Sequence, residues 1–353
     1  MTVRGPAWRV CLRRGQGRLK MLTKQPMNRR VVWALQPCVG GAVYFFGWRS
    51  LAVVAWSLAV AYFCEYLFTR RRGEAVSDAV LVTGIIFALV MPPTVPWHVA
   101  GIGAGFAVVF GKEVFGGYRC NIFNPAMAGR CFLYVCFPVA MTATWAPPAQ
   151  GPWGALGRWT TAESVDSITG ATPMAHLKAG RLELVRGKGV TEIPPDIPQG
   201  QVVRVDQRAF LKALLFGRVG GTMGVTSVAL ILIGGVYLFY TKTASRTIIL
   251  WMVLTYGVLN QALNALGVKP APMGLTAMMG GGFLFGAFFM ATDPISAPKT
   301  QPARAMYGVL IAVCTTVIRN FSVFNGGLMF SILIGNMFAP ILDYYVRGHG
   351  HDR

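Results

Sequence analysis

The sequence predicts an all-α membrane protein of about ten transmembrane helices, arranged as two inverted five-helix repeats with broken or re-entrant helices and one extracytoplasmic loop. Three observations carry this reading. Hydrophobic residues make up 54% of the chain and charged residues 13%, a mixture too apolar for one soluble globule. The apolar residues fall in blocks of membrane-spanning length. Lysines and arginines gather between the blocks, so the net charge of +20 reads as a membrane-orientation signal and not as a nucleic-acid footprint. Lipid is therefore an expected partner and nucleic acid is not.

Residues 1–30 carry nine Lys/Arg and no acid, with no apolar run before Val31. They lack the apolar core of a secretory signal and read as a cytoplasmic arm. Met21 and Met27 offer alternative starts, which makes a misassigned start an expectation for residues 1–20. The first repeat is placed at 31–145, with segments at 31–47, 50–69, 77–94, 96–115 and 123–145. Residues 146–208 form the loop, its Pro- and Gly-rich edges reading as linkers. The second repeat, 209–346, holds segments at 217–240, 246–265, 271–292, 303–320 and 325–346, and residues 347–353 are a cytoplasmic tail. The third and eighth segments, "VTGIIFALVMPPTVPWH" and "MMGGGFLFGAFFMATDP", are interrupted by Gly and Pro and predict broken helices.

Basic residues in alternate connections set the orientation. Arg29 and Arg30, Arg70 to Arg72, Lys112 and Arg119, Lys242 and Arg246, Lys299 and Arg304, and Arg347 all fall on one side, which is cytoplasmic by the positive-inside rule. The loop at 91–98 lacks charge and that at 265–270 has only Lys269, as the opposite face requires. Both termini are then cytoplasmic and 146–208 lies outside. A shift of 201 residues aligns Phe87 with Phe288, Pro93 with Pro294, Phe106 with Tyr307, Phe123 with Phe324 and Asn124 with Asn325. Five spans per repeat invert the second relative to the first and place a functional site at their interface.

The breaks carry the chemistry. Asn124–Pro125 and Asp293–Pro294 have the composition of helix starts, with a side-chain oxygen to cap free amides and a proline that has no N–H to waste. Plain capping and presentation of a helix start to an anionic ligand both fit. Asp293 is one of three acids after residue 208, and an ionisable group at a chain break in a bilayer is a candidate for cation coupling. The seven cysteines show no metal-site spacing and read as small packing residues, and no metal is expected.

"FGGYRCNIFNPAMAGR", "SITGATPM" and "FMATDPISAPKT", in that order, resemble the D subunit of the Rnf ion-translocating electron-transport complexes and, less closely, the paralogous B subunit of sodium-pumping NADH:quinone reductases. The resemblance covers essentially all of 31–346. It implies a ferredoxin:NAD⁺-type translocase subunit of the bacterial inner membrane, with other complex subunits, a second covalent-flavin subunit among them, as partners. It further implies that Thr172 carries FMN through a phosphoester made by a flavin transferase, flanked by Ser167, Thr169, Gly170 and Ala171. A phosphoester needs a hydroxyl, the small Gly170 and Ala171 leave room for an isoalloxazine ring, and Pro173 disfavours helix at Thr172. The paralogue also holds a non-covalent flavin such as riboflavin among its helices, and Asn124, Gly84 and Gly281 mark the equivalent place here. A hydroxyl-rich turn is the plain reading of the same stretch, and a urea- or ammonium-channel-like solute channel is the rival for the whole architecture.

Overall fold

The computed structural model describes residues 22–23, 25–142, 145–149, 151, 153–161, 173–185, 187, 189–190, 197, 201–268, 270–322, 324 and 326–349. The basic arm before Leu22, the attachment stretch from Ser167 to Thr172, Lys269 and Asn325 lie outside them.

A two-residue strand β1 (Leu22–Thr23) precedes helix α1 (Pro26–Phe46), which starts with proline in its first turn, where the missing N–H costs nothing. Gly47 turns the chain into α2 (Trp48–Arg72) with a φ of 93°. A Cβ at Gly47 would lie 2.7 Å from the carbonyl oxygen of Trp159, so only glycine lets the loop seat here. That seat is hydrogen-bonded: Arg49 N–H donates to Trp159 O at 2.8 Å and Ala155 N–H to Tyr44 O at 2.7 Å. α2 ends at the left-handed Gly73, with Arg70, Arg71 and Arg72 in its last turn complementing the helix dipole.

Strand β2 (Val76–Ser77) pairs in parallel with β1. It leads into α3 (Ala79–Leu89), α4 (Trp97–Val108) with a π-helical turn at Val109–Glu113, α5 (Pro125–Cys136) and α6 (Pro138–Thr142). In the loop segment, α7 (Pro173–Lys178) is followed by the parallel pair β3 (Leu182–Val185) and β4 (Val203–Asp206) and by α8 (Gln207–Phe216). Leu182, Ile197, Val205, Phe210 and Leu214 form a small core of their own there.

The second half holds α9 (Val228–Tyr240), α10 (Arg246–Ala265), α11 (Gly274–Met279), the single turn α12 (Phe283–Phe285) with a π-helical turn at Gly286–Met290, α13 (Gln301–Phe321) and α14 (Gly327–His349). Among the described residues four helices are long and apolar enough to cross a membrane: α2, α10, α13 and residues 327–348 of α14. The protein is mostly helical, as the composition demands of a membrane chain.

Each apolar block holds helix, but three features differ from expectation. The block at 217–240 is helical only from Val228. Its glycine-rich first part runs irregularly and bonds across to the first half, Met223 N–H to Met91 O at 3.1 Å and Gly224 N–H to Leu89 O at 2.7 Å. Buried non-helical backbone survives only when the protein satisfies it. Asp293–Pro294 starts no helix: the chain makes turns until Gln301. Lys112, expected in a cytoplasmic connection, is buried inside the π-helical turn.

One continuous apolar cluster runs through both halves, from Leu35, Phe87 and Leu133 to Phe285 and Tyr307. In a bilayer such a contact is held by close packing more than by exclusion of water.

Candidate functional site: two cavities between the halves

Asn124 joins the two breaks. Its side-chain oxygen accepts from Ala126 N–H at 3.1 Å and Met127 N–H at 3.4 Å, and its amide donates to Met290 O at 3.1 Å. It therefore caps α5 and ties it to the π-helical turn before Asp293.

Asn124 and Asp293 line one cavity of about 70 Å³ together with Asn28, Lys112, Tyr118 and Asn121. The Asp293 carboxylate accepts from Ser296 Oγ at 2.8 Å. Lys112 also belongs to a buried polar cluster. Lys112 Nζ sits 2.6 Å from Glu65 Oε2 and donates to Ser77 Oγ at 2.8 Å, while the other Glu65 oxygen accepts from Ser77 N–H at 2.9 Å. Arg72 pairs with Glu113 on the same side.

A second cavity, of about 190 Å³, is lined from both halves and from α7. Met174 and Ala175, just past the attachment stretch, line it with Arg130, Arg319, Tyr134 and Trp145. Gly281 lines it as well, left-handed with a φ of 57° next to Gly282 at 70°, which is how the chain reverses between α11 and α12 without a Cβ penalty. Arg319 clamps this break: it donates to the carbonyls of Gly280 and Gly281 and to Tyr256 Oη. Tyr256 in turn stacks on Phe283 at 3.9 Å between ring centroids. Lys178 of α7 donates to the Ser322 carbonyl beside the end of α13. Burial, and then the Arg319 guanidinium, push its ammonium below the ordinary lysine range.

Sequence reasoning grouped Asn124, Gly84 and Gly281 as one site; the structure separates them. Asn124 belongs to the smaller cavity and Gly281 to the larger, while Gly84 packs against Leu58 of α2 inside the first half. Thr172 and its neighbours Ser167, Thr169, Gly170 and Ala171 lie outside the described residues. Missed from the sequence were Arg130, Arg319 and the Lys112–Glu65 pair. The signal was present for all four, since a charged residue within an apolar block is a functional suspect by default.

The model of the NQR2, RnfD, RnfE family matches residues 19–350. The chain is 37% identical over 314 residues to the B subunit of the Na(+)-translocating NADH-quinone reductase of Pseudomonas aeruginosa (strain LESB58), covering 87% of this chain and 68% of that one. It is 33% identical over 335 residues to the D subunit of the ion-translocating oxidoreductase complex of Stutzerimonas stutzeri, covering 92% and 90%. For the corresponding D subunit of Alcanivorax borkumensis the identity is 34% over 339 residues, with 92% of each chain covered. A match over nearly the whole chain, together with relatives aligned across both helical halves and the loop between them, shows that this chain belongs to the NQR2, RnfD, RnfE family.

Proposed function

We propose that this chain is a membrane flavoprotein subunit of an Rnf-type, ferredoxin:NAD⁺ electron-transport complex of the bacterial inner membrane. It relays electrons through FMN esterified to Thr172 and couples the transfer to Na⁺ or H⁺ movement. The observation that carries this is the "TGATP" stretch leading directly into α7, whose Met174 and Ala175 line the larger cavity. Methionine and aromatic walls with a few polar groups suit a planar ring. FMN supplies the redox chemistry when bound; this chain's residues supply position and charge. The relatives named as subunits of ion-translocating complexes favour this reading over a solute channel. Near end-to-end alignment with the D subunits, against about two thirds of the B subunit, favours the Rnf type.

The topology proposed with it has ten membrane segments, both termini cytoplasmic and the loop with α7, β3, β4 and α8 outside. Helix starts support a repeat: Pro26 and Val228, and likewise Pro125 and Gly327, begin helices at matching places in the two halves. Asp293 is the proposed ion-coupling group, because it lines the smaller cavity together with Lys112. Asn124, at the same cavity, is the place for a second, non-covalent flavin such as riboflavin. The partners are the other complex subunits, one with its own covalent flavin, a flavin transferase, and membrane lipid.

The test is a denaturing gel of protein made with a flavin transferase. Wild type should give a fluorescent flavin band, Thr172→Ser should keep it and Thr172→Ala should lose it. A dark wild-type band sinks the proposal.

A further inference from the structure

Two arginines reach the larger cavity, and among the described residues no carboxylate lines it. Among the described residues neither Arg130 nor Arg319 forms an ion pair, and the Nε of each is buried without a hydrogen-bond acceptor. Arg319 spends its other nitrogens on Gly280, Gly281 and Tyr256. Among the described residues Arg130, in the middle of α5, shows no such ties. A guanidinium left unneutralised at membrane depth is costly, and such groups mark sites where something negative belongs.

The smaller cavity is the contrast that decides the ligand's sign. There the cation, Lys112, is already paired with Glu65, and a further carboxylate, Asp293, lines the same space; here two positive groups stand together, so a cation is repelled and a neutral ligand leaves the charge uncompensated. The walls, including Met127, Met290, Tyr134, Trp145 and Phe285, are soft and aromatic, which fits a flat conjugated ring better than a bare inorganic anion. Met174 follows Thr172 by two positions, a chain reach of at most about 7 Å.

We propose that Arg130 and Arg319 form the charged wall of a flavin-ring site in this cavity, and that they stabilise the negative charge the ring gains on reduction. This rests on the attachment at Thr172 proposed above. A reduced flavin subunit of the complex is the donor: one electron leaves that flavin and adds to the ring, and the arginines offset its charge without a proton having to follow. Both arginines are positioning and tuning residues here, and Arg130 is the cleaner probe because it holds no backbone group in place.

The experiment compares the whole complex carrying wild-type, Arg130→Gln or Arg130→Lys chain, reduced stepwise with dithionite. The gel band should be equal in all three, since esterification does not need the cavity. In Arg130→Gln the reduction equilibrium of that flavin should move at least tenfold toward the oxidised form, about 59 mV for one electron, and Arg130→Lys should restore most of it. Equal potentials in wild type and Arg130→Gln overturn the proposal.

Full-length chain made without the transferase separates this from a failure of the attachment reading. Titrated with free riboflavin, one class of site should bind at least tenfold more weakly after Arg130→Gln while the site proposed at Asn124 keeps its affinity, whether or not Thr172 is ever esterified. If free FMN loses affinity and riboflavin does not, Arg130 grips the phosphate and the ring assignment falls.

Discussion

The Asn124 amide donates to the Met290 carbonyl at 3.1 Å, a bond between two chain breaks that lie in different halves of the molecule. One side chain thus caps a helix and pins the turn that presents Asp293. Losing a cap costs about 1 kcal/mol, and leaving a buried carbonyl unpaired costs about 1–3 kcal/mol. Asn124→Ala should lose both contributions, a drop of about 2–4 kcal/mol. Serine caps as well as asparagine but is too short to span to Met290, so Asn124→Ser should recover the cap alone. Thermal unfolding in detergent reads the difference; a serine variant as stable as wild type would show that the bond between the halves contributes nothing.

Lys112 and Glu65 are a buried ion pair, their side chains 3% and 1% exposed. Taking either partner away strands a charge, which costs about 3–5 kcal/mol, whereas replacing both with apolar groups is much milder. Glu65→Leu and Lys112→Met should therefore each destabilise strongly, and the double variant should be more stable than either single one. A double-mutant cycle on the full chain measures this coupling, and purely additive losses would show that the two groups do not support each other.

How much of this was legible in the sequence follows from the range of each interaction. Long apolar blocks and the Asn124–Pro125 cap are local, and they placed the helices and one break well. Asp293–Pro294 has the same local grammar yet starts no helix, because the chain continues in turns until Gln301. Glycines stand at 217, 220, 221 and 224 at the head of the sixth block, and the bonds from Met223 and Gly224 to Met91 and Leu89 that hold this stretch are long-range and have no local signature. The same holds for the cavities. Arg130 and Arg319 stand 189 residues apart, and only the fold brings them to one wall. Lys112 looked like one more orienting loop charge because nothing near it in sequence announces Glu65, which comes from the middle of another helix.

Asp206 gives a pH test confined to the loop. It joins the end of β4 to the start of α8, and its carboxylate accepts from Gly187 N–H at 3.0 Å. That bond first, with the amides of Ala209 and Arg208 at the start of α8, holds the carboxyl below the usual aspartate range. A folded pKa lower than the unfolded one means the contribution is fully present above the unfolded value, about 3.9, and is lost as pH falls through the folded value. Hydrogen exchange of the full chain should show β3, β4 and α8 losing protection as the pH drops below about 4, while the long helices α10 and α13 keep theirs. Asp206→Asn should flatten that dependence and lower protection at neutral pH as well, because the neutral amide accepts the same N–H groups less strongly than a carboxylate. An acid profile unchanged by the substitution would place the pH sensitivity of the loop elsewhere.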